Sequence, residues 1–214
     1  MKGPGPRTLV FLGLVAAGAC WENPEPPTAP DASGDGDLPV AGVLQRFGVW
    51  NPAWPGYHLA VDLAGAGGTP VSAVADGTVR VAETGVSGYG AVMVVEHRVG
   101  GVEVLAVYGH LSTREGLGAR EGDEVRAGGR LGSLAYDDED GGAWRPHLHF
   151  GLRRGPHREG PHLCGVWLYV GYSRECPGTT HEEFTGAGWL DPLDYLPGLV
   201  PPVSGTGGPA GPGS

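Results

Sequence analysis

Between Leu38 and Val200, glycine or proline interrupts the chain so often that the longest stretch free of both is the nine residues from Ala91 to Val99. An average globular helix already takes about 11–12 residues, and interior Gly and Pro cost a helix about 1 and 3 kcal/mol each. A helical bundle is therefore excluded. With 41 Gly and 20 Pro in 214 residues the chain approaches the range of low-complexity disorder, but 40% apolar residues and six Trp supply material for a core. What remains is an all-β fold, short antiparallel strands joined by tight turns into a small sandwich or roll, with one domain expected at this length.

Val-rich strand signals recur at residues 69–75, 77–83, 91–97, 102–108 and 147–152, and with breaks at 124–135. The dipeptides Asp76-Gly77, Gly100-Gly101 and Gly128-Gly129 separate them as hairpin turns do.

The ends of the chain have a different character. Lys2 and Arg7 precede an apolar run over residues 9–19, too short to span a bilayer, which needs about 20 residues. It has the pattern of a signal peptide over residues 1–19. Ala17-Gly18-Ala19-Cys20 resembles a bacterial lipobox, so Cys20 is expected to be the acylated first residue of the mature protein. By resemblance to lipoprotein sorting signals, Trp21, in a position where Asp would signal retention, implies an outer-membrane lipoprotein facing the periplasm in a cell that has such a membrane. Residues 20–37 read as a flexible tether, 38–197 as the folded domain, and 198–214 as a disordered tail. Cys164 and Cys176 form an even pair in an exported chain and are expected to be joined. A bridge of that span stabilises by on the order of 3 kcal/mol in the chain-entropy model.

A net charge of -10 without a dense basic run excludes nucleic acid as a partner. The chemistry lies in the histidines. His147 and His149 are two apart in an expected strand, so they project to one face about 7 Å apart at the backbone. His58 and Asp62 are four apart, and a flat strand would separate them by about 13 Å. A helix would unite them, but the breakers around them favour a bent extended segment, and spacing alone leaves the matter open.

The order His58 and Asp62, then Tyr108-Gly109-His110-Leu111, then Pro146-His147-Leu148-His149-Phe150, resembles the lysostaphin-like (LytM-type) zinc endopeptidases of bacterial cell walls. The likeness extends through Gly68-Thr69-Pro70-Val71, Ala75-Asp76-Gly77-Thr78-Val79, Gly88-Tyr89-Gly90 and Glu121-Gly122-Asp123-Glu124-Val125 to Asp191-Pro192-Leu193, which matches the family's closing strand signal. It covers most of residues 45–196. The resemblance implies a barrel-sandwich-like fold of the duplicated-hybrid-motif type holding one Zn(II) per chain. His58, Asp62 and His149 correspond to the metal ligands, and His110 and His147 to the catalytic pair beside them. Three protein ligands leave the fourth tetrahedral position open, as catalytic zinc requires. Two departures stand out: Ala60 occupies a position usually held by Gly, and residues 153–188 form a long insert containing both cysteines and the run Val166-Trp167-Leu168-Tyr169-Val170. That run reads as a strand or as an aromatic substrate wall. His97, His157, His162 and His181 read as solvated or structural.

The function so implied is hydrolysis of amide bonds in peptidoglycan cross-links or stem peptides by an exported enzyme, in contact with the membrane only through its lipid anchor. The alternative is a noncatalytic regulator of the same fold whose partner is a cell-wall amidase. A biotinyl or lipoyl carrier shares the Ala-Asp-Gly-Thr-Val pattern but needs an acceptor lysine, and the only lysine is Lys2 in the signal segment. A sugar-binding module would lack stoichiometric zinc.

Overall fold

The computed structural model describes residues 42–53, 55–86, 88–139, 145–158 and 185–196. The expected signal segment, Cys20, the tether, the cysteine pair, the 166–170 run, His162, His181 and the tail lie outside them.

The stretch longest without Gly or Pro supplies a central strand, β7 (Gly90–Val99), flanked by β6 (Gly77–Val86) and β8 (Val102–Leu111). Gly100 and Gly101 both take positive φ, 58° and 80°, and close a two-residue hairpin between Val99 and Val102, the backbone that tight hairpins require. The other strands are shorter. In chain order β1 (Gly42–Gln45), β2 (Trp50–Asn51), β3 (Gly56–Tyr57), β4 (Val61–Ala64) and β5 (Pro70–Ser72) precede the three long ones. After them come β9 (Glu124–Val125), β10 (Arg130–Ser133), β11 (His147–Arg154) and β12 (Trp189–Leu190).

One sheet runs β1-β4-β11-β8-β7-β6-β9, with β12 also on β11; β5 pairs β10 and β2 pairs β3. Every pairing is antiparallel. β7 and β8 bury both faces. Ala91, Met93 and Val95 join Tyr108, Phe150, Val71 and Leu131 in the main core, which therefore lies between the large sheet and the β5–β10 ribbon. Val92 and Val94 alternate to the opposite face and pack with Tyr89, Leu105 and Val107. Each buried Val, Leu, Met or Phe among them contributes about 1.5–3 kcal/mol of burial. The buried Tyr108 hydroxyl accepts from the Val74 N–H at 3.1 Å and meets His97 Nε2 at 3.1 Å, while His97 Nδ1 faces the Asp76 carbonyl at 3.1 Å. That carbonyl can only accept, so Nδ1 carries the proton and Nε2 accepts from the tyrosine. His97 is thus structural.

Several boundaries differ from the sequence pattern. The 69–75 signal contracts to three residues in β5, and 124–135 splits into β9 and β10. β1, β4 and β12 carry no strong signal of their own; they are strands because β4 and β11 offer them partners distant in sequence. Asp191-Pro192 directly follows the short strand β12 and lies outside it. Asp191 caps a single-turn helix, α1 (Pro192–Tyr195), its side chain accepting from the Leu193 N–H at 2.9 Å, with Pro at the first helical position.

Candidate metal centre

β11 lies between β4 and β8, and its register sets His149 opposite both Asp62 and Gly109. Side chains two apart share a face, so His147 and His149 point together away from Leu148 and Phe150, which enter the core. His58 reaches the same point because the chain bends between it and β4. Gly48 and Val49 pair with the His58 backbone, and Leu59, packed with Phe47 and Trp189, anchors the turn. The bend lets the two side chains converge, with His58 Nε2 3.2 Å from Asp62 Oδ1. Ala60 needs no glycine backbone, since His110 alone among described non-glycine residues has positive φ.

The three expected ligands form one buried cluster. His58 Nε2 lies 3.2 Å from His149 Nδ1, and His149 Nδ1 lies 3.1 Å from Asp62 Oδ1. For bonds of 2.0–2.2 Å, tetrahedral zinc holds its ligand atoms about 3.3 Å apart, so the site matches that ion in spacing and in donor type. The tautomer matches too. His58 Nδ1 faces the Arg46 carbonyl at 3.2 Å, must carry the proton, and leaves Nε2 as a lone pair turned into the cluster. Burial opposes charge on Asp62, but the His149 and His58 rings beside it prevail and hold its carboxyl well below the usual range. Burial likewise depresses the His149 imidazole to about 4. Asp62 and His149 are thus unprotonated at neutral pH, the state a metal needs.

The remaining pair stands alongside. The His110 and His147 rings are 4.3 Å apart between centroids. His147 Nδ1 donates to the Arg145 carbonyl at 2.7 Å, leaving Nε2 unprotonated, 3.8 Å from Asp62 Oδ1. Burial, and then the neighbouring His110, push the His147 imidazole below its ordinary pKa, so it is neutral and able to accept a proton. A cleft opens beside this pair, lined by Tyr136, Glu139 and Pro146. Tyr89 packs on His110 and His149, with centroids at 5.2 and 5.3 Å. Gly88-Tyr89-Gly90 was legible as a motif, whereas Tyr136 and Glu139 sit at and within an acidic stretch that reads as solvated surface.

A curled antiparallel sheet presenting two imidazoles and a carboxylate, with two further imidazoles at their side, defines a protein of the metallopeptidase class. Residues 56–161 match the model of peptidase family M23, and the chain belongs to that family. It is 32% identical over 92 residues to lipoprotein NlpD of Yersinia enterocolitica, across 43% of this chain and 84% of that one. It is 31% identical over 111 residues to murein hydrolase activator NlpD of Escherichia coli, covering 52% of this chain and 26% of the relative. A lipoprotein NlpD/LppB homolog of Pseudomonas aeruginosa is 33% identical over 97 residues, 45% of this chain and 29% of its own. The chain thus spans under a third of the last two relatives. In fold it is similar to the antimicrobial peptidase lysostaphin of Staphylococcus simulans, with TM-score 0.52 and 22% identity over 80% of this chain and 55% of that one.

Proposed function

We propose that the protein is an exported zinc endopeptidase that hydrolyses amide bonds in peptidoglycan cross-links or stem peptides. The observation that carries this reading is the conjunction of a three-donor metal cluster with an adjacent histidine pair, of which His147 keeps Nε2 free of its proton. His58, Asp62 and His149 would hold one Zn(II). Bound there, zinc would supply Lewis-acid polarisation of the scissile carbonyl and a lowered pKa for water. His147 Nε2 takes the proton of the attacking water. That proton ends on the departing nitrogen as the C–N bond breaks, with His110 assisting the transfer or steadying charge on the carbonyl oxygen.

A second reading has its own support: relatives named murein hydrolase activators suggest a regulator whose partner is a wall amidase. Digestion of cross-linked muropeptides separates the two. The first reading expects new amine ends from purified zinc-loaded protein alone. The second expects none until an amidase is added, and then faster loss of stem peptides than the amidase achieves by itself.

The lipobox-like ending, together with relatives named lipoproteins, supports acylation at Cys20 and attachment to the outer membrane on its periplasmic side. Intact mass of membrane-extracted protein tests it; an unmodified, freely soluble chain would remove the anchor and leave export standing. Cys164 and Cys176 are proposed to be bridged, so thiol labelling of unfolded, unreduced protein should mark neither.

A further inference from the structure

His110 has φ 59°, a left-handed backbone that no other described non-glycine residue adopts. The conformation costs on the order of 1–2 kcal/mol and persists only where the surroundings over-determine it. Part of that restraint is ladder-like: the Ala135 N–H donates to the His110 carbonyl at 2.9 Å, and the Ser112 N–H to the Ser133 carbonyl at 2.8 Å. The rest converges on one carboxylate. Glu139 Oε1 accepts from the Thr113 hydroxyl at 2.9 Å and the Arg114 N–H at 3.0 Å; Oε2 accepts from the Ser112 hydroxyl and the Tyr136 N–H, both at 2.9 Å. Ser112 is fully buried. Burial disfavours the Glu139 charge, but these donors outweigh it and bring its pKa down to about 2. An acidic side chain in a run of acids is ordinarily solvated; this one is used up internally, at the edge of the cleft that His110 and His147 line.

We propose that Glu139 is a positioning residue for His110: by clamping residues 112–114 against Tyr136, it holds the His110 backbone in the left-handed conformation that carries its imidazole to His147. Only the kinetic consequence rests on the enzymatic reading above; the conformational one does not.

Glu139→Gln keeps the size of the side chain but turns an NH2 group toward backbone donors. Glu139→Asp keeps the charge and shortens the reach. Two measurements on the folded, zinc-loaded protein test the clamp. The one-bond Cα–Hα coupling of His110, which reports the sign of φ, should leave its positive-φ value in Glu139→Gln and do so partly in Glu139→Asp. On muropeptides, Glu139→Gln should keep its zinc and KM while kcat falls about 10–100-fold, the scale for residues that orient a functional histidine. Added to His110→Ala, it should cost nothing more. An unchanged His110 coupling in folded Glu139→Gln overturns the proposal, as does an equal loss of turnover in the presence and absence of His110. If the wild type hydrolyses nothing yet the coupling shifts, the clamp stands and the enzymatic reading fails.

Discussion

Three lone-pair donors held 3.1–3.2 Å apart repel one another unless a proton or a cation lies between them, and burial removes the water that would otherwise screen them. This separates the five site residues into two groups by the effect of their loss. His58→Ala, Asp62→Ala and His149→Ala should each abolish zinc binding and hydrolysis together. His110→Ala and His147→Ala should retain zinc while turnover drops by about two to four orders of magnitude, the scale for a positioned acid or base. Elemental analysis beside rates on cross-linked muropeptides checks the division, which fails if His147→Ala loses its metal as fully as Asp62→Ala. The residue types and their order were legible in the sequence. The tautomers were not: the Arg46 carbonyl becomes a neighbour of the His58 ring only through the fold, and the Arg145 carbonyl, two residues from His147, meets that ring only in the particular backbone conformation there.

At the scale of elements, β8 carries a bulge where it matters. Ala91 pairs with Leu111 and Met93 with Tyr108, so Gly109 and His110 together oppose Val92. Gly109 has no room for more: a Cβ there would collide with the Tyr89 ring, which packs on His110 and His149. Gly109→Ala should therefore destabilise the protein by about 1–3 kcal/mol, as overpacking does, and lower turnover with it. Denaturant midpoints are the measure, and adding Tyr89→Leu should recover part of the loss. Unchanged stability in the single variant would mean that the ring is free to move. The alternation of Val-rich segments announced β6, β7 and β8, but a bulge is a difference in register between two strands and has no signature in either alone. β4 and β12 were hidden for a related reason, since two to four residues become a strand only when β11 is beside them.

For the whole molecule, a bound metal should act as a structural tie, because the residues that would hold it come from β4, β11 and the bend before β4. Free zinc at 100 times its Kd would add about 2.7 kcal/mol to stability, raising Tm by about 5–10 °C for a protein of this size. Chelation should remove that increment and leave Asp62→Ala unmoved; equal sensitivity in both would deny the tie. Sequence by itself determined the class of architecture, because breakers spaced more closely than a helix is long leave only short strands and turns. It also determined the identity of the donors, since imidazole and carboxylate chemistry belongs to the residue. Tertiary structure alone decided that His58 and Asp62 meet, that His110 takes a left-handed backbone, and that one carboxylate from an acidic run turns inward to fasten the turn beyond it. Each of these depends on segments tens of residues apart arriving at one point, and local pattern holds no record of which distant segment will arrive.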